Sequence, residues 1–255
     1  MHKRLPLLAA ALLLGASATA SAADGFTGWH VGGHLGHSTG SSDFDMALGG
    51  TWSSESQALR DHMVANGNGS SSLDPSGGAY GLQFGYDHQF ANGIVLGAEI
   101  DYSLLDIKDD RASDLRVVPS MPTLGYRFGN SVELDSQWSL RGRFGYASGQ
   151  HLFYATAGWA QVDAEASASI TSTGGYSKLG TGSETLDGFV WGVGYEYDLG
   201  NQWTVRGEYT TTELDDFSFG TDYVAGSTFV TPAYLETVTQ DVDFNTLRIA
   251  FNYRF

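Results

Sequence analysis

The chain has 255 residues, with 13 lysines and arginines against 29 aspartates and glutamates and a formal net charge of −16, so nucleic acid is not expected as a partner. It holds no cysteine, which excludes disulfides and thiolate metal sites. With 34 glycines, only 5 prolines, abundant aromatics and few blocks of helix formers, the composition points to an all-β fold.

Residues 1–22 read as a secretory signal. His2, Lys3 and Arg4 make a basic start, Leu5 to Gly15 an apolar run, and Ala20-Ser21-Ala22 a small-residue cleavage site that leaves Ala23 first. Loss of Lys3 and Arg4 takes the net charge from −16 by two, to −18. The run is too short to cross a bilayer as a helix, and no later run of 18 apolar residues exists. Residues 23–255 are expected to form a single domain.

From there the chain alternates with period two, the mark of strands with two unlike faces. The first segment is about Gly28 to His37, with Trp29, Val31, Gly33 and Leu35 on one face. The second is about Gly78 to Phe90, with Tyr80, Leu82, Phe84 and Tyr86 together. The third, Ile94 to about Leu104, aligns Ile94, Leu96, Ala98, Ile100 and Tyr102. The fourth, about Leu134 to Tyr146, aligns Trp138, Leu140, Phe144 and Tyr146. The fifth runs from about Leu152 to Glu165; Phe153 and Trp159 share one face, and Leu152, Tyr154 and Val162 the other. The sixth, about Leu186 to Leu199, groups Phe189, Trp191, Val193, Tyr195 and Tyr197. The seventh, about Trp203 to Leu214, groups Trp203, Val205 and Tyr209. In the eighth, DFNTLRIAFNYRF, Leu247, Ile249, Phe251, Tyr253 and Phe255 alternate with Arg248, Ala250, Asn252 and Arg254.

Three links are short and carry hairpin chemistry: Ala91-Asn92-Gly93, Ala147 to His151, and Gly200-Asn201-Gln202. Four are long, at about 38–77, 105–133, 166–185 and 215–241, and rich in Ser, Thr, Gly and Asp. Ser53 to Gly67 reads as a short helix in the first of them, and Thr123 to Gly129 as a strand extending past a membrane. Short turns at one rim and long loops at the other predict an eight-stranded antiparallel up-and-down transmembrane β-barrel, with turns in the periplasm and loops outside the cell.

The charged strand residues share the face opposite the apolar one: Glu99, Asp101, Arg141, Arg143, Glu196, Arg206, Glu208 and Arg248. An arginine facing the bilayer midplane costs about 2–4 kcal/mol, so this set is expected in the lumen. The interior of an eight-stranded barrel is just wide enough for side chains to fill it. A packed carboxylate–guanidinium network is therefore expected, with a gated ion path or an acid–base pair as alternatives. Trp29, Tyr86, Tyr102, Trp138, Tyr146, Trp203 and Tyr253 fit interfacial girdles, with carbohydrate stacking as the alternative.

His30, His34 and His37 invite a metal reading. Four residues of strand span about 13 Å, too far for His30 and His34 to share an ion, so lumen and rim histidines are expected. No metal site, cofactor or catalytic set is expected, because no nucleophile, zincin or phosphate-loop motif occurs. Asp215, Asp216, Asp222, Asp241 and Asp243 suggest a solvated acidic rim, with divalent cations as the alternative.

The block RGRFGYASGQHLFYATAGWAQVDAEA, Arg141 to Ala166, resembles the small porin-like outer-membrane proteins of Gram-negative bacteria, barrels of the OmpA-type eight-stranded architecture. GFVWGVGYEYDLGNQWTVRGEYTTTEL, Gly188 to Leu214, resembles that family's glycine–aromatic hairpin, and GFTGWHVGGHLG and the closing NYRF are also similar. The resemblance covers nearly all the strands and little of the loops; the long first loop and the histidines of the first strand depart from it. It implies residence in the cell outer membrane among its lipids and lipopolysaccharide. It also implies handling by periplasmic chaperones and insertion by the barrel-assembly machinery, with Phe251, Tyr253 and Phe255 as the assembly signal. It implies a non-enzymatic role in envelope integrity, with loops available to host or surface ligands. A small channel for ions or solutes, an adhesin or ligand receptor, and an enzyme acting on lipid or peptide are the other expectations.

Overall fold

The computed structural model describes residues 25–68 and 72–255, so the expected signal segment lies outside the described residues. The strands in chain order are β1 (Gly28–Gly50), β2 (Ser76–Gln89), β3 (Ile94–Ala112), β4 (Arg116–Val118), β5 (Met121–Ser148), β6 (His151–Ser172), β7 (Ser177–Gly200), β8 (Trp203–Leu214), β9 (Phe217–Gly220), β10 (Asp222–Tyr223) and β11 (Tyr234–Arg254). Among the described residues one α-helix, α1 (Gln57–Asn68), follows a 3-10 turn at Thr51–Ser54. Eight of these strands form an antiparallel ring in the order β1, β2, β3, β5, β6, β7, β8, β11. The ring closes through β1 and β11, paired from His30–Arg254 to Gly50–Tyr234. At the β7–β8 turn, Asn201 and Gln202 take φ of +53° and +71°, the twist that suits a tight hairpin.

Around the lower part of the ring the outward residues are apolar and exposed, among them Leu35, Leu82, Leu140, Phe144, Phe153, Val193 and Leu247. An uninterrupted belt of this kind is the surface that hydrocarbon requires, and far exceeds what a water-facing wall carries. Aromatics edge it on both sides. Trp29, Tyr86, Tyr146, Trp203 and Tyr253 mark the rim with the short turns, and Tyr102 and Trp138 pack together at the other rim, 4.6 Å between centroids. There the indole N–H groups of Trp159 and Trp191 donate to Asp187 and Glu213, the first polar residues above the belt. From Trp138 to Tyr146 is eight residues of strand, about 26 Å before tilt, which suits an apolar band of about 25 Å.

Strands run far into all four expected long loops. β1 runs on to Gly50, β3 to Ala112 and β6 to Ser172, while β5 starts at Met121, β7 at Ser177 and β11 at Tyr234. Above the belt the alternation persists with its sign reversed. Phe44, Met46, Val132, Leu134, Val162, Ile170, Val238 and Phe244 now point inward, and Asp43, Asp45, Glu133, Asp163, Glu165 and Asp241 point outward. A bulge at Asp135, between Leu134 and Ser136, shifts the phase of β5 at the changeover. The upper ring is thus a water-facing turret with an apolar core, continuous with the lower barrel. The expected helix is present: Leu59 and Met63 of α1, with Trp52, are buried in that core and cap it. The expected strand through Thr123 to Gly129 is the outer part of β5.

Carboxylates face one another across the turret's outer surface: Asp43 opposite Asp241, Glu133 opposite Glu165, and Glu213 opposite Asp243. Partial burial, with Asp243, Asp216 and Asp43 nearby, raises the Asp241 carboxyl above its ordinary value. A carboxyl raised by folding favours the folded state below its ordinary pKa and loses that contribution as pH rises through the raised value. Asp241→Asn is therefore expected to raise the free energy of urea unfolding from lipid vesicles at pH 7 by about 0.2–1 kcal/mol. The gain should vanish when the pH is lowered through the carboxylate range.

Candidate functional site: the ion-paired lumen and its cap

Inside the apolar belt, alternate residues of six ring strands converge on one ionic layer. The eight charged residues expected in the lumen are all buried there, and Asp87 of β2 and Arg254 of β11 join them. The Arg141 guanidinium reaches Glu99 at 2.7 Å, Glu208 at 2.8 Å and Asp101 at 3.0 Å. Arg143 bridges Asp87 and Glu196, both at 2.8 Å. Arg206 holds Glu99 at 2.7 Å and Glu196 at 3.3 Å. Arg248 holds Glu208 at 2.5 Å and Asp101 at 3.2 Å, and Arg254 holds Glu196 at 3.0 Å and Asp87 at 3.3 Å.

Five carboxylates thus meet five guanidiniums, and the layer is neutral before histidine is counted. Tyr154, which sequence alone placed on an unranked face, lies in the layer. Its hydroxyl donates to Glu208 at 2.5 Å and its ring lies 4.2 Å beneath the Arg143 guanidinium carbon. Gly194 of β7 makes room for that ring, since a Cβ there would run into it. His30 and His34 are lumen residues: His30 Nε2 lies 3.0 Å from Glu99, and His34 contacts Gln83 and Ser103 at 3.1 and 2.9 Å. His37 is exposed on the outer wall.

Every carboxylate in the layer is engaged by at least two cations. Separating one member would strand a charge in a buried site, so the layer resists rearrangement more than it adds net stability. Asp87 and Arg254 escaped the sequence reading because they lie near strand ends, where inward and outward faces are hardest to separate. Their signal was parity: Asp87 lies on the face opposite Tyr86, and Arg254 on that opposite Tyr253.

A second buried polar group sits in the turret. The Glu236 carboxylate on β11 accepts from the Trp52 indole at 2.7 Å, the Lys178 ammonium at 2.7 Å and the Thr221 hydroxyl at 2.6 Å. It also accepts from the Tyr176 hydroxyl. Burial and this carboxylate push the Tyr176 phenol well above its ordinary pKa, which keeps it a donor. One carboxylate thereby ties together the first loop, β7, the segment between β9 and β10, and β11. The expected acidic rim residues Asp215, Asp216, Asp222 and Asp241 are exposed, and Asp243 is half-buried. Phe251 and Phe255 of the expected assembly signal face outward and are exposed, and Tyr253 is half-buried between Trp203 and Phe255.

Two substitutions probe these groups. Glu208→Leu leaves Arg141 and Arg248 short of a partner and should cost about 3–5 kcal/mol in urea unfolding from lipid vesicles. Trp52→Phe keeps a ring but removes the donor to Glu236. It should destabilise the cap by about 1–3 kcal/mol, seen as faster protease cleavage in the first loop of the folded barrel.

Comparison with known proteins agrees with this architecture. The family described as outer membrane protein beta-barrel domain matches residues 8–255. The 31 kDa outer-membrane immunogenic protein of Brucella melitensis is 30% identical over 192 residues, covering 73% of this chain and 70% of that protein, and its counterpart in Brucella suis matches equally. Among solved structures, the outer membrane protein OprG from Pseudomonas aeruginosa aligns with a TM-score of 0.43 at 13% identity, covering 90% of this chain and 96% of that one. The attachment invasion locus protein Ail of Yersinia pestis aligns at 0.34 and 13%, covering 88% and 99%. The polypeptide belongs to the outer-membrane β-barrel domain family and resides in the cell outer membrane.

Proposed function

We propose that this protein is a non-conducting, non-enzymatic barrel that supports the integrity of the outer membrane and offers its acidic turret for extracellular contacts. The observation that carries the reading is a lumen filled at two levels. The ionic layer occupies the membrane level, and an apolar core capped by Trp52, Leu59 and Met63 occupies the turret above it. An ion would have to displace paired charges and then cross hydrocarbon-like packing, each unfavourable. The carboxylates of the layer are committed to arginines, which leaves none poised as a general base. Because the layer is neutral, the net charge of −16 resides elsewhere, largely on the turret wall and loops, where it favours basic partners. Outer-membrane lipids and lipopolysaccharide surround the belt in this reading, and chaperones and the assembly machinery act on the chain before insertion.

Planar-bilayer recording tests it. The purified barrel should give no steady current, and a deletion strain should become more permeable to detergents and dyes. A reproducible open level would replace this reading with that of a small channel.

A further inference from the structure

Between the ionic layer and the turret core the inward residues are small and polar, among them Ser38, Ser103, Ser139, Thr210 and Thr246. They leave a cavity of about 10 Å³, and every residue that lines it is buried. His34, Asp101 and Arg248 bound it on the periplasmic side, and Ala79, Leu105 and Val190 on the turret side. Below the bulge at Asp135, Gln137 of β5 lines it as well.

The charged groups around this space are already committed. Arg141 and Arg248 both hold Asp101 and Glu208, and His34 contacts Gln83 and Ser103. Two neutral groups are not. The Gln137 amide and the Thr210 hydroxyl, on residues only 8% and 7% exposed, border the cavity and have no hydrogen-bond partner among the described residues. The Thr246 hydroxyl shares a hydrogen bond with Ser38 at 2.7 Å, which uses one of the pair's two protons and leaves the other over. Leaving buried polar groups unpaired is costly, so native interiors supply a partner. Size and chemistry together select it. A space of about 10 Å³ suits one water and excludes a phosphate or an organic molecule. The groups left over are dipoles, and the charges beside them already balance, so an ion would find no counter-charge. A water both donates and accepts, as an amide and two hydroxyls require.

We propose that this cavity is a binding site for a single water molecule, held by Gln137, Thr210 and Thr246. The water joins β5 to β8 and β11 across the lumen, strands that the ring order sets apart. It completes the hydrogen bonding at the one level where the ionic filling gives way to the apolar one.

Nuclear magnetic resonance of the full barrel in phosphatidylcholine nanodiscs tests the site through cross-relaxation between water and the Gln137 side-chain amide protons. The expected result is a direct cross-peak to water, equal in sodium chloride and in potassium sulfate. Thr210→Val keeps the shape of the side chain and removes the hydroxyl. It should weaken the cross-peak and raise the urea unfolding constant in lipid vesicles by about three- to tenfold, the loss of one hydrogen bond. Were the cavity dry, that hydroxyl would be an unpaired buried dipole, and its removal would lower the constant instead. Gln137→Met should act in the same direction, and serves alone should the first variant fail to assemble. The double variant should lose less than the product of the two, because both groups hold one molecule. A stabilised Thr210→Val or Gln137→Met barrel, fully independent effects in the double variant, or a cross-peak that is missing or changes with the salt would overturn the proposal.

Discussion

Closure of the ring through β1 and β11 is the constraint on which the rest depends. In hydrocarbon an unpaired backbone N–H or carbonyl has no water to turn to, so a sheet can cross a membrane only when its two edges meet. The pairing runs from the periplasmic rim to the top of the turret, from His30–Arg254 to Gly50–Tyr234. Once the edges are joined, every strand has one face toward the bilayer and one toward an enclosed space narrower than a channel. Which residues may carry charge then follows from parity alone.

That enclosed space is filled by two different chemistries. At membrane level the inward residues are long, ionic and mutually neutralising, and Tyr154 wedges among the guanidiniums of Arg143 and Arg206. Above the belt the inward residues are hydrocarbon, as in a water-soluble barrel. The ionic layer sits where lipid presses on the outside, and the hydrocarbon core where water does. Each level of the wall thus has one apolar side and one polar side, in opposite senses. Glu236 and Lys178 are buried charges of the upper level, and the carboxylate's donors come from the first loop, from residues 176–178 and from the segment between β9 and β10, so the cap is fixed by hydrogen bonds as well as by packing.

Much of this was legible in the chain. Eight strands, the short turns, the helix in the first loop and the lumen position of eight charged residues follow from period-two alternation and the cost of arginine in lipid. The lengths of the strands were not legible in the same way. Asp43-Phe44-Asp45-Met46 and Val162-Asp163-Ala164-Glu165 alternate as strictly as the terminal strand. Asp43 to Met46 falls in an expected loop because a carboxylate on the lipid side marks the end of a membrane strand, and Val162 to Glu165 closes the expected fifth segment, whose continuation to Ser172 carries no apolar lipid face. Asp135 adds a bulge that breaks the count within β5, so no single parity describes that strand. The Glu236 cluster was invisible for another reason: its members lie far apart in sequence and meet only when the turret closes.

The reversal of sign partway up each strand also fixes where the molecule rides. Push the cylinder inward by one repeat of the pleat, and Asp187 and Glu213 would enter oil while Trp159 and Trp191 lost the boundary they straddle. Draw it outward, and Tyr146 and Trp203 would be lifted from the opposite boundary. The wall therefore works as a waterline, setting immersion depth from residue order.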